Sequence, residues 1–146
     1  MTRTRETILI VALCLGNLFL TGMGMGVPVF TIFWGVAAGL AAILATRREG
    51  LAGLVKKTWL YAGILACFTF LTEVALMTGP SIAIARGKID PANFGHPFIL
   101  YDPLLSFWAF VFVEIIVAPV LELFVAIATV FVYLSLSRRF RQPGRD

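Results

Sequence analysis

Residues 104–136 read LLSFWAFVFVEIIVAPVLELFVAIATVFVYLSL, and this apolar stretch of about 33 residues decides the fold. A helix needs about 20 apolar residues to cross the hydrocarbon core of a bilayer, so the stretch is long enough for one span. It also contains two carboxyl side chains, Glu114 and Glu122, with Pro119 between them. Acidic side chains inside a membrane helix are rare, so their presence needs a physical explanation.

The composition of the whole chain is typical of a membrane protein. The 146 residues are 60% hydrophobic and 14% charged, and the mean hydropathy is +0.93. A soluble domain is usually about half apolar and a quarter charged. We therefore predict an all-α integral membrane protein in which residues 1–146 form a single domain.

Three further apolar segments precede residues 104–136, so we predict a bundle of four transmembrane helices. The predicted spans are residues 7–24, 29–46, 58–78 and 104–136, with a long outer loop over residues 79–103. Glycine and proline punctuate helices, so Gly79-Pro80 is expected to end the third span. Trp59 and Tyr61, near the start of that span, are expected at the membrane interface.

The basic residues predict the orientation of the bundle. Ten of the twelve Lys and Arg residues lie in three clusters, at the two termini and in the second loop. The first loop has no positive charge, and the third has only Arg86 and Lys88. The positive-inside rule therefore places both termini in the cytoplasm. The chain is compact and lacks eukaryotic lipidation motifs, which favours a multi-pass protein of a bacterial inner membrane.

The predicted spans contain three glutamates and no Lys, Arg or His that could neutralise them. Glu73 lies in the third span, and Glu114 and Glu122 lie in the fourth. An ionised side chain at the bilayer centre costs on the order of 2.5–3.5 kcal/mol on insertion scales. The glutamates are therefore either protonated or accompanied by a cation from outside the chain. Asn17 in the first span is the best polar partner at similar depth, and Thr69 and Thr72 are further candidates.

These acids suggest two hypotheses for function. In the first, Glu114, Glu122, Glu73 and Asn17 line a path for a proton or cation, and the chain is an oligomeric transport or conductance protein. In the second, it is a non-catalytic accessory or assembly subunit of a larger membrane complex, with Glu114 and Glu122 facing a basic residue of a partner. A purely structural role, in which the glutamates hydrogen-bond between helices, is a third interpretation. Acids of a path should point into the bundle, whereas docking acids should point out of it.

Two further features concern helix geometry and packing. Pro119 lacks an N–H donor and disfavours the hydrogen bond to the carbonyl of Ile115, so a helix kink is predicted there. Gly35 and Gly39, four residues apart in the second span, allow close helix packing. We expect their partner to be the first or third span, or a second copy of the chain.

The sequence favours neither an enzyme nor a cofactor protein. His96, the sole histidine, lies six residues from both Asp90 and Asp102, which is not a metal-ligand spacing, so no metal is predicted. Cys14 and Cys67 lie in apolar segments and are expected to be small core residues. No nucleophile elbow, P-loop or C-x-x-C is present. We predict no cofactor and no catalytic residue, although a membrane enzyme stays open because such enzymes follow no short motif.

The expected partners are the lipid bilayer and other membrane proteins. The basic clusters lie next to apolar segments, which leaves no basic surface for nucleic acid. Four helices enclose little space, so a homo-oligomer or an assembly with other membrane subunits is expected.

Overall fold

The computed structural model describes residues 3–22, 28–46, 50–94 and 100–140, and all regular secondary structure in them is helical. The elements are α1 (Arg3–Gly22), α2 (Pro28–Ala45), α3 (Leu51–Ala85), a 3-10 turn (Pro91–Asn93), α4 (Pro103–Phe112), a π-helical turn (Val113–Val117) and α5 (Ala118–Phe140). The last three follow one another without a break, and we call them the fourth helical segment. The all-α prediction is confirmed for the described residues.

Two of these helical stretches are long and apolar enough to cross a membrane. They are Leu51–Ala85 and Pro103–Ser137, and α2 contains a shorter apolar helix, Phe30–Ala45. The structure thus identifies two candidate spans among the four that the sequence predicts.

α3 begins earlier than the predicted third span. Its first two turns contain Lys56 and Lys57, which the sequence placed in a loop. Lys57 forms an ion pair with Glu6 of α1. The N-terminal ends of α1 and α3 therefore lie at the same end of the bundle.

We expect the ion pair between Lys57 and Glu6 to make a small contribution to stability. The two side chains are 15% and 22% exposed, and Glu6→Gln should lower the free energy of unfolding by about 1 kcal/mol or less. The charge-reversed variant Glu6→Lys/Lys57→Glu should recover most of this loss. Thermal unfolding in detergent, measured for the single and double variants, gives the coupling energy. The prediction would be contradicted if the double variant lost as much stability as the Glu6→Lys and Lys57→Glu single variants lose in sum.

α3 also continues beyond Gly79-Pro80 to Ala85, so the prediction that this dipeptide ends the helix is wrong. A proline inside a helix costs about 3 kcal/mol, because it lacks an N–H and its ring crowds the preceding turn. Burial of Ile84 against Phe107 and Val111 of α4 offsets part of this cost. Packing in the last turn therefore overrides a local helix-breaking signal.

α2 packs closely against α5 at its glycines. A Cβ atom added at Gly35 would lie 2.7 Å from the Cβ of Val125 and 2.8 Å from the carbonyl oxygen of Glu122. A Cβ added at Gly39 would lie 2.8 Å from the Cβ of Thr129. An advance of four residues on α2 thus matches an advance of four on α5, so the two helices run parallel. The close packing is present, but the expected partner was wrong, because the glycines face the fourth helical segment of the same chain.

Trp59 and Tyr61 have different surroundings. Trp59 is 54% exposed, whereas Tyr61 is 1% exposed and packs in a core cluster with Leu54 and Val130. Residues two positions apart on a helix point about 200° apart, so they cannot share a face. Tyr61 therefore does not face outward as Trp59 does, and the position of both residues at a membrane interface stays a prediction.

The fourth helical segment departs from α-helical bonding just before Pro119. Val113–Val117 form a π-turn, in which the N–H of Ala118 donates to the carbonyl of Val113. The ring of a proline crowds the carbonyl four residues earlier, here that of Ile115, and a π-turn relieves this by taking in an extra residue. Glu114 lies within this turn, and the kink expected at Pro119 stays a prediction.

Candidate functional site

The polar residues predicted to line a path all lie inside the bundle. Glu73 and Glu114 are each 2% exposed, Glu122 is 1% exposed and Asn17 is 3% exposed. They come from α3, the π-turn, α5 and α1 respectively. None of the three carboxyl groups faces the outside of the bundle.

Glu122 is held by hydrogen bonds from two other helices. The side-chain amide of Asn17 donates to Oε1 of Glu122 at 3.3 Å and to the hydroxyl oxygen of Thr69. The hydroxyl of Thr69 donates to Oε2 of Glu122 at 2.8 Å. Both carboxyl oxygens therefore accept a hydrogen bond, and the cluster ties α1, α3 and α5 together.

Glycines bring the helices close around this cluster. A Cβ added at Gly16, next to Asn17, would lie 2.5 Å from Cη2 of the Trp34 ring, so α1 and α2 approach closely there. Gly35 brings α2 against the backbone carbonyl of Glu122. Small residues at these positions fix the distance between helices and hence the positions of the polar side chains.

Glu73 lies between the other two carboxyl groups along the bundle. It is one helical turn beyond Thr69 on α3, and α3 contacts the π-turn that contains Glu114. α3 and the fourth helical segment run antiparallel, so one turn beyond Thr69 lies on the Glu114 side of Glu122. Eight residues separate Glu122 from Glu114, and the π-turn takes in one of them, so the two are roughly 10 Å apart along the axis. We call Glu122, Glu73 and Glu114 the carboxyl column.

Glu73 and Glu114 differ from Glu122 in their contacts. Within the described residues, the carboxyl groups of Glu73 and Glu114 have no hydrogen bond and no basic partner. A buried polar group without a partner is costly, and a buried charge without one is more so. If ionised, these two carboxyl groups would have no counter-charge from the described residues.

Sequence reasoning missed one buried polar residue of the fourth helical segment and left another as a secondary candidate. Ser106 is fully buried, and its hydroxyl oxygen accepts a hydrogen bond from the N–H of Leu100 at 3.3 Å. A serine in an apolar run was the available signal. Thr69, one turn from Glu73, is a direct partner of Glu122, whereas the half-buried Thr72 makes no such bond in the described part of the chain.

The aspartates of the outer loop have structural roles. Asp90 accepts a hydrogen bond from the N–H of Ala92 at 2.9 Å, and Asp102 accepts one from the N–H of Leu105 at 2.8 Å. Both are N-caps of the helical turns that follow them. His96 lies outside the described residues. Over residues 3–22, 28–46, 50–94 and 100–140, no three His, Cys, Asp or Glu side chains are placed to hold a metal ion.

The fold and the site together define an all-helical bundle with a buried carboxyl column. Comparison of the chain with protein-family models, with curated proteins and with solved structures gives no match.

Proposed function

We propose that this protein is a four-span integral membrane protein that moves protons or another cation along the carboxyl column. Both termini lie in the cytoplasm, the membrane is a bacterial inner membrane, and the working unit is an oligomer. The observation that carries the proposal is the burial of three carboxyl groups with no basic partner among the described residues. The one ion pair among the described residues joins Lys57 to Glu6, at the end of the bundle where α1 and α3 begin.

The exterior of the bundle supports a membrane location. Large apolar side chains are exposed on all four helical segments, among them Phe19, Phe33, Leu71, Phe124 and Phe131. A soluble monomer rarely exposes apolar surface so widely, whereas lipid chains solvate it without cost. The two long apolar helices agree with the same location.

The geometry gives each polar residue a role in the proposed path. Hydrogen bonds from Asn17 and Thr69 orient Glu122. We therefore assign it the role of a proton-binding group held in one position between three helices. Glu73 and Glu114 have no such restraint and can take up and release a cation. Intramembrane carboxyl groups placed in sequence along a bundle are the usual elements of proton relays.

The rival hypothesis, an accessory subunit that docks through its acids, is less well supported. Docking through Glu114 and Glu122 requires both carboxyl groups on the outer surface of the bundle. Both are buried, and Glu122 is bonded to Asn17 and Thr69 of its own chain.

Proton flux into vesicles tests the proposal. Purified protein is reconstituted with a pH-sensitive dye inside the vesicles, and flux is driven by a potassium diffusion potential with and without added sodium. Glu114→Gln should reduce the flux by about tenfold or more, because an amide cannot carry the proton or balance a cation. Glu6→Gln, which removes an acid outside the carboxyl column, is the matched control and should leave the flux unchanged.

Two results would count against the path. One is a wild-type flux no greater than that of empty vesicles. The other is equal flux in wild type and Glu114→Gln. A flux that depends on added sodium would show that proton movement is coupled to that ion.

A further inference from the structure

The outer side of α3 has an apolar groove that the carboxyl column does not use. Its volume is about 490 Å³, and its lining includes Trp59, Leu60, Gly63, Ile64, Cys67 and Leu71. A Cβ added at Gly63 would meet no atom within 4 Å, so the missing side chain at this position forms the floor of the groove. The expectation that Cys67 is a core residue is wrong, because it is exposed in this groove.

A lysine stands at one end of the groove. Lys56, Leu60, Gly63 and Cys67 follow one another at intervals of four, three and four residues, which places them on one stripe of the helix. Lys56 is exposed and has no ion pair within the described residues, whereas its neighbour Lys57 is paired with Glu6. The ammonium group of Lys56 therefore lies at one end of an otherwise apolar groove.

The length of the groove fits one leaflet of a bilayer. Trp59 and Leu71 are twelve residues apart, or about 18 Å along the helix. Half the hydrocarbon thickness of a bilayer is about 15 Å. Trp59 and Lys56 then lie at the headgroup level, where tryptophan rings and the ends of lysine side chains are enriched.

We propose that this groove binds one acyl chain of an anionic phospholipid of the cytoplasmic leaflet, with Lys56 contacting the headgroup phosphate. The inference rests on the membrane location in the proposed function and not on ion movement along the carboxyl column. The groove is open and lined by α3 alone, which suits an acyl chain lying along the protein surface and not an enclosed ligand. A helix from a second copy is a poorer occupant, because covering this face would bury the unpaired ammonium group of Lys56.

Quenching of Trp59 fluorescence by brominated lipids tests the proposal. The signal of Trp59 is the difference between wild type and Trp59→Phe, measured in phosphatidylcholine vesicles that contain increasing fractions of brominated phosphatidylglycerol or brominated phosphatidylcholine. One lysine near an anionic lipid predicts a preference for phosphatidylglycerol of about fivefold. Lys56→Gln should abolish this preference, and Lys56→Arg should retain it. Gly63→Leu, which fills the groove, should reduce quenching by both lipids.

The outcomes separate failure of this inference from failure of the proposed function. Equal quenching by the two lipids, or a preference unchanged in Lys56→Gln, would overturn the lipid site. Protein that inserts into vesicles but whose Trp59 neither lipid quenches would show that protein covers the groove, which also overturns it. Protein that fails to float with vesicles would overturn the membrane location itself. Loss of proton flux with the lipid preference intact would reject only the carboxyl path.

Discussion

The double variant Gly35→Ala/Gly39→Ala is expected to be much less stable than the wild-type protein. An alanine Cβ at either position would lie within 3 Å of atoms on α5 that cannot rotate away. At Gly35 these are the Cβ of Val125 and the carbonyl oxygen of Glu122, and at Gly39 they include the Cβ of Thr129. Overpacking of this kind costs roughly 1–3 kcal/mol at each position. The second change should cost less than the first, because both act on one helix pair and the first already separates it.

Gly63→Ala is the matched control for the double variant. Gly63 is also a helical glycine, but an added Cβ meets nothing within 4 Å. Replacing it should leave stability unchanged or raise it by up to about 1 kcal/mol, since alanine is the better helix former. Unfolding in mixed micelles with increasing sodium dodecyl sulfate gives the comparison. A double variant as stable as Gly63→Ala would show that α2 and α5 are not in close contact.

Glu122→Gln and Glu122→Leu are expected to stop proton flux equally while differing in stability. Glutamine retains an oxygen that can accept a hydrogen bond from Thr69 or Asn17, so it should cost about 1 kcal/mol. Leucine leaves the amide of Asn17 and the hydroxyl of Thr69 without their shared acceptor, which should cost about 1–3 kcal/mol. Unfolding in detergent and vesicle flux are measured on the same preparations.

A triple variant separates the structural role of this cluster from its proposed role in proton movement. Asn17→Leu/Thr69→Val/Glu122→Leu replaces every hydrogen-bonding member by an apolar side chain, and such replacements are often neutral or stabilising. We expect stability close to that of the wild type and a flux as low as that of Glu122→Gln. Full flux in the folded triple variant would show that Glu122 only holds helices together.

The polar residues of the site could be identified from the sequence because their residue types are unusual in an apolar helix. A glutamate or asparagine in an apolar helix must avoid lipid, so Glu73, Glu114, Glu122 and Asn17 could be named without a structure. Their pairing could not be predicted. The bond between Asn17 and Glu122 depends on how α1 is rotated and placed against α5, which no local pattern records.

The sequence did not predict which side of α3 faces the core, and the reason is a different one. Thr69 and Glu73 are buried on the core side of this helix. The outward side from Trp59 to Leu71 is mostly apolar as well, so no polar stripe marks it. Cys67 was expected in the core and is exposed, whereas Tyr61, grouped with Trp59 in the sequence, is buried. The break expected at Pro80 failed because a rule for isolated helices took no account of the anchor at Ile84.

The π-turn divides the fourth helical segment into two halves that do not share a single helical wheel. On a continuous α-helical wheel, Ser106 and Glu122 are sixteen residues apart and point about 160° from each other. The extra residue in the turn leaves fifteen α-helical steps and an angle of about 60°, which explains why both side chains are buried. A wheel for this segment has to be restarted at Ala118. Substitutions chosen from one unbroken wheel would reach outward-facing positions in one half and core positions in the other.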